Sequence, residues 1–131
     1  MTEEEAIEKF GLLPKAQELP AIRQLLMEAK LRRAPEPLMR LLCIQLFAHG
    51  DVEDSLLVWR AKRSSFDAGS GIDVQLMCGA GLQATKKYLG SIQSAESAAA
   101  LEYLHKCEQA GDFKDWSPAK HLEFWLNYYR Q

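Results

Sequence analysis

The stretch Gly50-Asp51-Val52-Glu53-Asp54 has a near repeat later in the chain, Gly111-Asp112-Phe113-Lys114-Asp115. Each stretch follows a run of residues in which apolar side chains recur at helical spacing. A glycine at a helix end readily adopts the left-handed conformation, and an aspartate after it accepts hydrogen bonds from the first amides of the next helix. The two stretches therefore predict two places where one helix ends and another folds back on it.

Helical periodicity also covers most of the remaining sequence, and no pair of alternating apolar runs predicts a β-hairpin. We predict about seven helices with short connections, of which 67–71 is the clearest internal loop. The third helix, 37–49, is apolar around most of its circumference, which is typical of a central, buried helix. The fifth is predicted from Asp73 to about Leu89. The predicted class is all-α, with antiparallel hairpins forming a short helical-repeat solenoid or a bundle.

The segment 36–67 has the most distinctive helical pattern. Its second helix places the small residue Ser55 one turn before Trp59, and its first helix has larger residues at Met39, Leu42, Cys43 and Leu46. This spacing resembles one tetratricopeptide unit, although the chain lacks the closing proline of that family. The resemblance implies an α-α superhelix that binds proteins and has no chemistry of its own. It also implies that Trp59 fills the space between hairpins.

Length and composition indicate one helical domain over 1–131, with N-terminal helices in 1–35, the hairpin in 36–67 and C-terminal helices in 72–131. The formal net charge is −2, so we expect no nucleic-acid partner. No apolar run approaches the roughly 18 residues of a membrane span, so we expect no membrane partner. The acidic N-terminus does not resemble a signal peptide. An odd number of cysteines within predicted helices favours reduced, buried thiols and a cytoplasmic protein.

Two basic triplets lie near predicted helix ends: Lys30, Arg32, Arg33 and Arg60, Lys62, Arg63. Cations at a helix C-terminus complement the helix dipole, and this explanation is favoured over a partner-binding patch.

The polar residues form no recognised catalytic or metal-binding motif. The histidines, His49, His105 and His121, lack zinc-ligand spacing, and the paired carboxylates lie at helix starts, where capping explains them. We therefore predict no catalytic residue, no metal site and no cofactor. The alternative is an enzyme or small-ligand binder with its site near 67–81, where glycines precede a predicted helix whose free amides could hold an anion. A structural subunit of a larger complex is a third hypothesis.

The C-terminal helix is the strongest candidate for contact with another molecule. One apolar stripe contains Leu122, Trp125, Leu126 and Tyr129, and a second beside it contains His121, Phe124 and Tyr128. Together the stripes are too wide for a helix that buries only one face. Either the helix is sunk among others, or its aromatic residues meet a protein or peptide partner or a second copy of the chain. The candidate partner-binding residues are His121, Phe124, Trp125, Tyr128 and Tyr129, and the predicted function is a non-catalytic protein- or peptide-binding module.

Overall fold

The computed structural model describes residues 1–130, and these residues form eight α-helices, three 3-10 turns and no β-strand. The helices are α1 (Glu3–Phe10), α2 (Leu19–Glu28), α3 (Glu36–His49), α4 (Ser55–Lys62), α5 (Phe66–Gly71), α6 (Leu82–Ser91), α7 (Ala95–Gln109) and α8 (Pro118–Tyr129). The 3-10 turns span Ala16–Glu18, Val52–Asp54 and Val74–Met77. The predicted all-α class is confirmed, with one helix more than expected. Within the described residues, no helix is both long and apolar enough to cross a bilayer.

Both glycines of the repeated stretch end helices in the left-handed region, as predicted. Gly50 has φ 84° and Gly111 has φ 93°. Asp51 then accepts a hydrogen bond from the Glu53 amide at 3.0 Å. The predicted capping role of Asp112 is wrong, because turns follow it and the next helix begins only at Pro118.

The segment 66–81 differs most from its sequence prediction. The expected loop at 67–71 is helix α5, which begins after Ser65 because the Ser65 hydroxyl accepts the Ala68 amide at 3.0 Å. The expected helix from Asp73 to Leu89 is interrupted instead. A Cβ at Gly79 would lie only 2.7 Å from the Phe47 carbonyl oxygen, so the chain here packs directly against the backbone of α3. The predicted helix is replaced by the 3-10 turn Val74–Met77, and α6 begins only at Leu82.

Helix α3 occupies the centre of the molecule, as its apolar circumference predicts. Helices α1, α2, α5 and α8 all pack against it. Every residue from Leu38 to Phe47 except Arg40 is buried, including Gln45, whose amide donates to the Gly11 carbonyl at 2.8 Å. Trp59 on α4 is also buried, against the ring of Tyr103 at 5.2 Å, so its predicted core position is confirmed.

Candidate partner-binding surface

Local sequence and the contact with α3 together set the position of helix α8. The Ser117 hydroxyl accepts the Lys120 amide at 3.2 Å, and Pro118 occupies the first turn, where a missing amide costs nothing. The helix then packs against α3. The Ser117 cap therefore sets where α8 starts, and the packing against α3 sets which face of α8 points inward.

The inner side of α8 holds Trp125 and Tyr129. Trp125 is buried, and the Arg40 guanidinium of α3 lies 5.0 Å from the centre of its ring, within the range of a cation–π contact. The Tyr129 hydroxyl donates to Glu3 of α1 at 2.7 Å. Burial raises the pKa of Tyr129, and the Glu3 carboxylate raises it further, so the phenol stays a neutral donor. These contacts tie α8 to α1 and α3.

The outer side of α8 holds Phe124 and Tyr128, which are 58% and 48% exposed. Both rings meet the buried ring of Trp125 edge-on, with centroid distances of 5.1 Å for Phe124 and 5.3 Å for Tyr128. Tyr128 also lies within 5.4 Å of the Arg40 guanidinium. The two exposed rings therefore rest on a buried ring and lose little freedom when another molecule contacts them.

An open depression of about 410 Å³ adjoins the N-terminal end of this aromatic surface. His121 lines it, with Nε2 at 3.2 Å from Asp73 Oδ2 and at 3.3 Å from Trp125 Nε1. Because Nε2 carries either a proton or a lone pair, it donates to Asp73 or accepts from Trp125, one bond at a time. The other residues around the depression mix aromatic rings with both signs of charge: Gln75, Asp112, Lys114, Asp115, Trp116, Lys120 and Phe124.

The five predicted site residues separate into an outer and an inner group. Phe124 and Tyr128 are exposed, and His121 lies partly exposed at the edge of the depression. Trp125 and Tyr129 lie inside and support the outer rings. Sequence reasoning missed Arg40 and Trp116, because neither belongs to the periodic pattern of α8. The side chain of Trp116 lines the depression, and its buried Nε1 has no hydrogen-bond partner within residues 1–130.

The alternative site near 67–81 contains groups that are engaged in packing. Lys62 is buried and donates from Nζ to the carbonyls of Gly69 at 2.6 Å and Ile72 at 2.5 Å, which satisfies the end of α5. Burial lowers the pKa of Lys62. A Cβ at Gly71 would overlap the Glu36 carboxylate, so close packing accounts for that glycine.

The three cysteines, Cys43, Cys78 and Cys107, are free and buried. Burial raises the pKa of Cys78 to about 12, which disfavours the reactive thiolate. Within residues 1–130, no cluster of three or more His, Cys, Asp and Glu side chains could hold a metal ion.

Searches of protein-family models, of curated proteins and of solved structures each find no match to this chain. The resemblance of residues 36–67 to a tetratricopeptide unit therefore stays a prediction.

Proposed function

We propose that the chain is a non-catalytic, protein- or peptide-binding helical module whose partner contacts the outer side of α8. The exposure of Phe124 and Tyr128 on a helix anchored by Arg40 and Glu3 supports this proposal best. Exposed apolar surface costs roughly 25 cal/mol per Å² in water, and a partner that covers the rings recovers that free energy. Well-supported aromatic side chains are also the residues that most often dominate binding energy at protein interfaces.

The depression beside His121 extends this proposed contact surface. A partner that covers Phe124 also reaches the carboxylates and lysines around the depression, which can set its orientation through charge. The expected interface thus has an aromatic centre and a polar rim, the usual anatomy of a specific protein–protein contact.

We also propose that residues 36–67 form a tetratricopeptide-like hairpin within this module. The left-handed Gly50, the buried Ser55 and the buried Trp59 support this arrangement, since the family places a turn, a small residue and a large residue there. The alternatives of an enzyme or a small-ligand binder near 67–81 have less support, because packing accounts for Lys62 and Gly71.

The double variant Phe124→Ser with Tyr128→Ser tests the α8 surface. Both side chains are about half exposed and each loses an edge-on contact with Trp125, so we expect the free energy of unfolding to fall by about 1–3 kcal/mol. Leu13→Ser is the matched control, because Leu13 is 56% exposed and lies outside α8. The partner is measured by quantitative mass spectrometry of proteins that co-purify from the native cell, and self-association by sedimentation equilibrium.

We expect the double variant to stay folded and to lose one specific co-purifying protein, while the Leu13 variant keeps it. Loss of a homodimer instead would identify the partner as a second copy of the chain. Unfolding of the double variant would show that the outer rings are core residues. Association that both variants retain at the wild-type level would contradict the proposed function.

A further inference from the structure

A second surface lies far from α8 in the sequence, between the C-terminal halves of α2 and α4 and the start of α3. Two depressions of about 240 Å³ and about 270 Å³ share Lys30, Met39 and Ser64 as lining residues. The shared residues make them one continuous groove, which we call the α2–α4 groove.

The floor and edges of the α2–α4 groove are apolar. Leu26 and Met39 are buried at its base, while Met27 stands 61% exposed at its side. Leu31 and Phe66 adjoin the lining residues Lys30 and Ser65 in the chain, and both are 88% exposed. Methionine side chains adapt to different apolar shapes, so a groove with Met27 and Met39 suits the insertion of partner side chains.

All charged residues that line the groove are cations: Lys30, Arg33 and Arg60. Arg60 is neutralised by Glu96, with which it forms an ion pair at 2.6 Å. Lys30 and Arg33 are exposed and form no ion pair within residues 1–130. The groove is therefore locally positive although the chain has a formal net charge of −2.

The first basic triplet thus differs from the second in what its side chains do. In the second triplet, Lys62 binds backbone carbonyls, Arg60 pairs with Glu96, and Arg63 lies 5.1 Å from the centre of the Trp59 ring. In the first, only Arg32 has an ion-pair partner within the described chain, namely Glu28. Lys30 and Arg33 are the cations that remain available to another molecule.

We propose that the α2–α4 groove docks an acidic amphipathic helix from a protein partner. Apolar side chains at positions i, i+4 and i+7 of that helix fill the groove, and its Asp and Glu residues pair with Lys30 and Arg33. The concave shape favours a segment that inserts side chains over a flat membrane surface, which cannot reach the buried Met39. Two unpaired cations are also few for nucleic acid, whose binding requires many phosphate contacts.

The probe is a synthetic helical peptide with Leu on one face and Glu at the other positions, labelled with fluorescein. A control peptide carries Lys in place of every Glu. Binding is measured by fluorescence anisotropy with the full chain and with the double variant Lys30→Glu, Arg33→Glu. The matched control is Lys15→Glu with Lys87→Glu, which makes the same charge change at two exposed lysines outside the groove.

We expect the acidic peptide to bind the wild type and the control, and to bind the groove variant at least about tenfold more weakly. The groove variant should gain affinity for the Lys peptide. Met27→Ser is an independent test, because a short polar side chain on the apolar side of the groove should weaken binding of the acidic peptide without changing any charge. Thermal unfolding of each variant shows whether it is folded.

Three outcomes would overturn the proposal. The first is that the wild type does not bind the acidic peptide. The second is that both double variants lose affinity equally, which would show that only the net charge of the chain matters. The third is that phosphatidylglycerol vesicles compete with the peptide and bind through Lys30 and Arg33, which would show that the groove contacts a membrane surface instead of a protein. The α8 double variant should bind the acidic peptide normally, so failure at the groove and failure of the proposed function are distinguishable.

Discussion

The Gly50 turn and the Gly111 turn start in the same way and continue differently. Both glycines are left-handed and both precede an aspartate. After Gly50, Arg23 of α2 binds Asp51 at 3.3 Å and Asp54 at 2.8 Å, and the 3-10 turn Val52–Asp54 leads directly into α4 at Ser55. After Gly111, the only long-range hydrogen bond to Asp112 within the described chain goes from the Gln75 amide to its carbonyl, and α8 starts after a run of turns.

This difference shows which features of a helix–helix junction depend on the local sequence and which depend on tertiary contacts. A glycine ends a helix wherever the chain can turn, because it adopts positive φ without a steric penalty. The start of the next helix also depends on contacts with side chains from other helices. At Asp51 and Asp54, hydrogen bonds from Arg23 hold the junction in place; the bond to Asp54 and the negative charges of both carboxylates raise the pKa of Arg23. After Gly111, no ion pair within residues 1–130 joins the turns to a distant helix, and the nearest cation bond is local, from Lys120 of α8 to the Asp115 carbonyl at 3.2 Å.

The largest expected effect comes from valine at the two glycines. Gly50→Val forces a β-branched residue to φ 84°, with its Cβ at 3.3 Å from the Gly79 carbonyl oxygen, so we expect it to lower the free energy of unfolding by about 3 kcal/mol. Gly111→Val has the same backbone strain but no atom within 4 Å of the added Cβ, so we expect about 1–2 kcal/mol. Urea denaturation measures both values.

Gly90→Ala is the control for this pair, because Gly90 has ordinary backbone geometry and an added Cβ would meet Leu101 at 3.8 Å. We expect that change to be neutral or stabilising by up to about 1 kcal/mol. Equal losses at Gly50 and Gly111 would show that close packing around Gly50 contributes nothing.

A smaller difference is expected between the two aspartates. Asp51→Ala removes the acceptor for the Glu53 amide and one contact of Arg23, so we expect a loss of about 1 kcal/mol. Asp112→Ala should change the free energy of unfolding by less than about 0.5 kcal/mol, since Asp112 caps no helix. Salt should reduce the cost of Asp51→Ala, because the contact with Arg23 is partly exposed and screened. A larger loss of unfolding free energy for Asp112→Ala than for Asp51→Ala would contradict the proposed difference between the two turns.

The smallest effect is expected at Asp115, which has φ 53° in the turns before α8. Asp115→Gly removes the steric cost of the left-handed conformation and adds flexibility to the unfolded chain, so we expect a net gain of about 0.5 kcal/mol. A thermal melt should then show a midpoint raised by about 2 °C. Asp115→Ala keeps the positive φ with a residue that tolerates it poorly, so an increase in stability there would refute this explanation.

The sequence predicts most helix ends because they depend on residues close in the chain. Gly50 and Gly111 both end helices with positive φ, as predicted, because a glycine adopts that conformation without help from distant residues. The segment 66–81 was predicted wrongly because its structure depends on distant groups. Lys62 donates to the Ile72 carbonyl at the end of α5, and the chain at Gly79 packs directly against the backbone of α3. Neither contact leaves a periodic pattern in the sequence.

The candidate surface on α8 shows the same limit. Periodicity identifies two aromatic stripes, yet it does not show which one faces solvent. That choice depends on Arg40, which lies against Trp125, and on Glu3, which accepts from Tyr129. Both residues lie more than eighty positions earlier in the chain, so only the tertiary structure distinguishes Phe124 and Tyr128 from their buried neighbours.

The buried thiols give the chain built-in reporters of its own opening motions. Cys43 is fully buried in the central helix α3, whereas Cys107 lies near the end of α7 with 9% of its surface exposed. Burial raises the pKa of both thiols, so at neutral pH an alkylating reagent reacts mainly with molecules in which the cysteine has opened to solvent. The alkylation rate of Cys43 then follows global unfolding, and that of Cys107 follows fraying of α7. A single labelling time course on the unmodified protein thus ranks the stability of its parts.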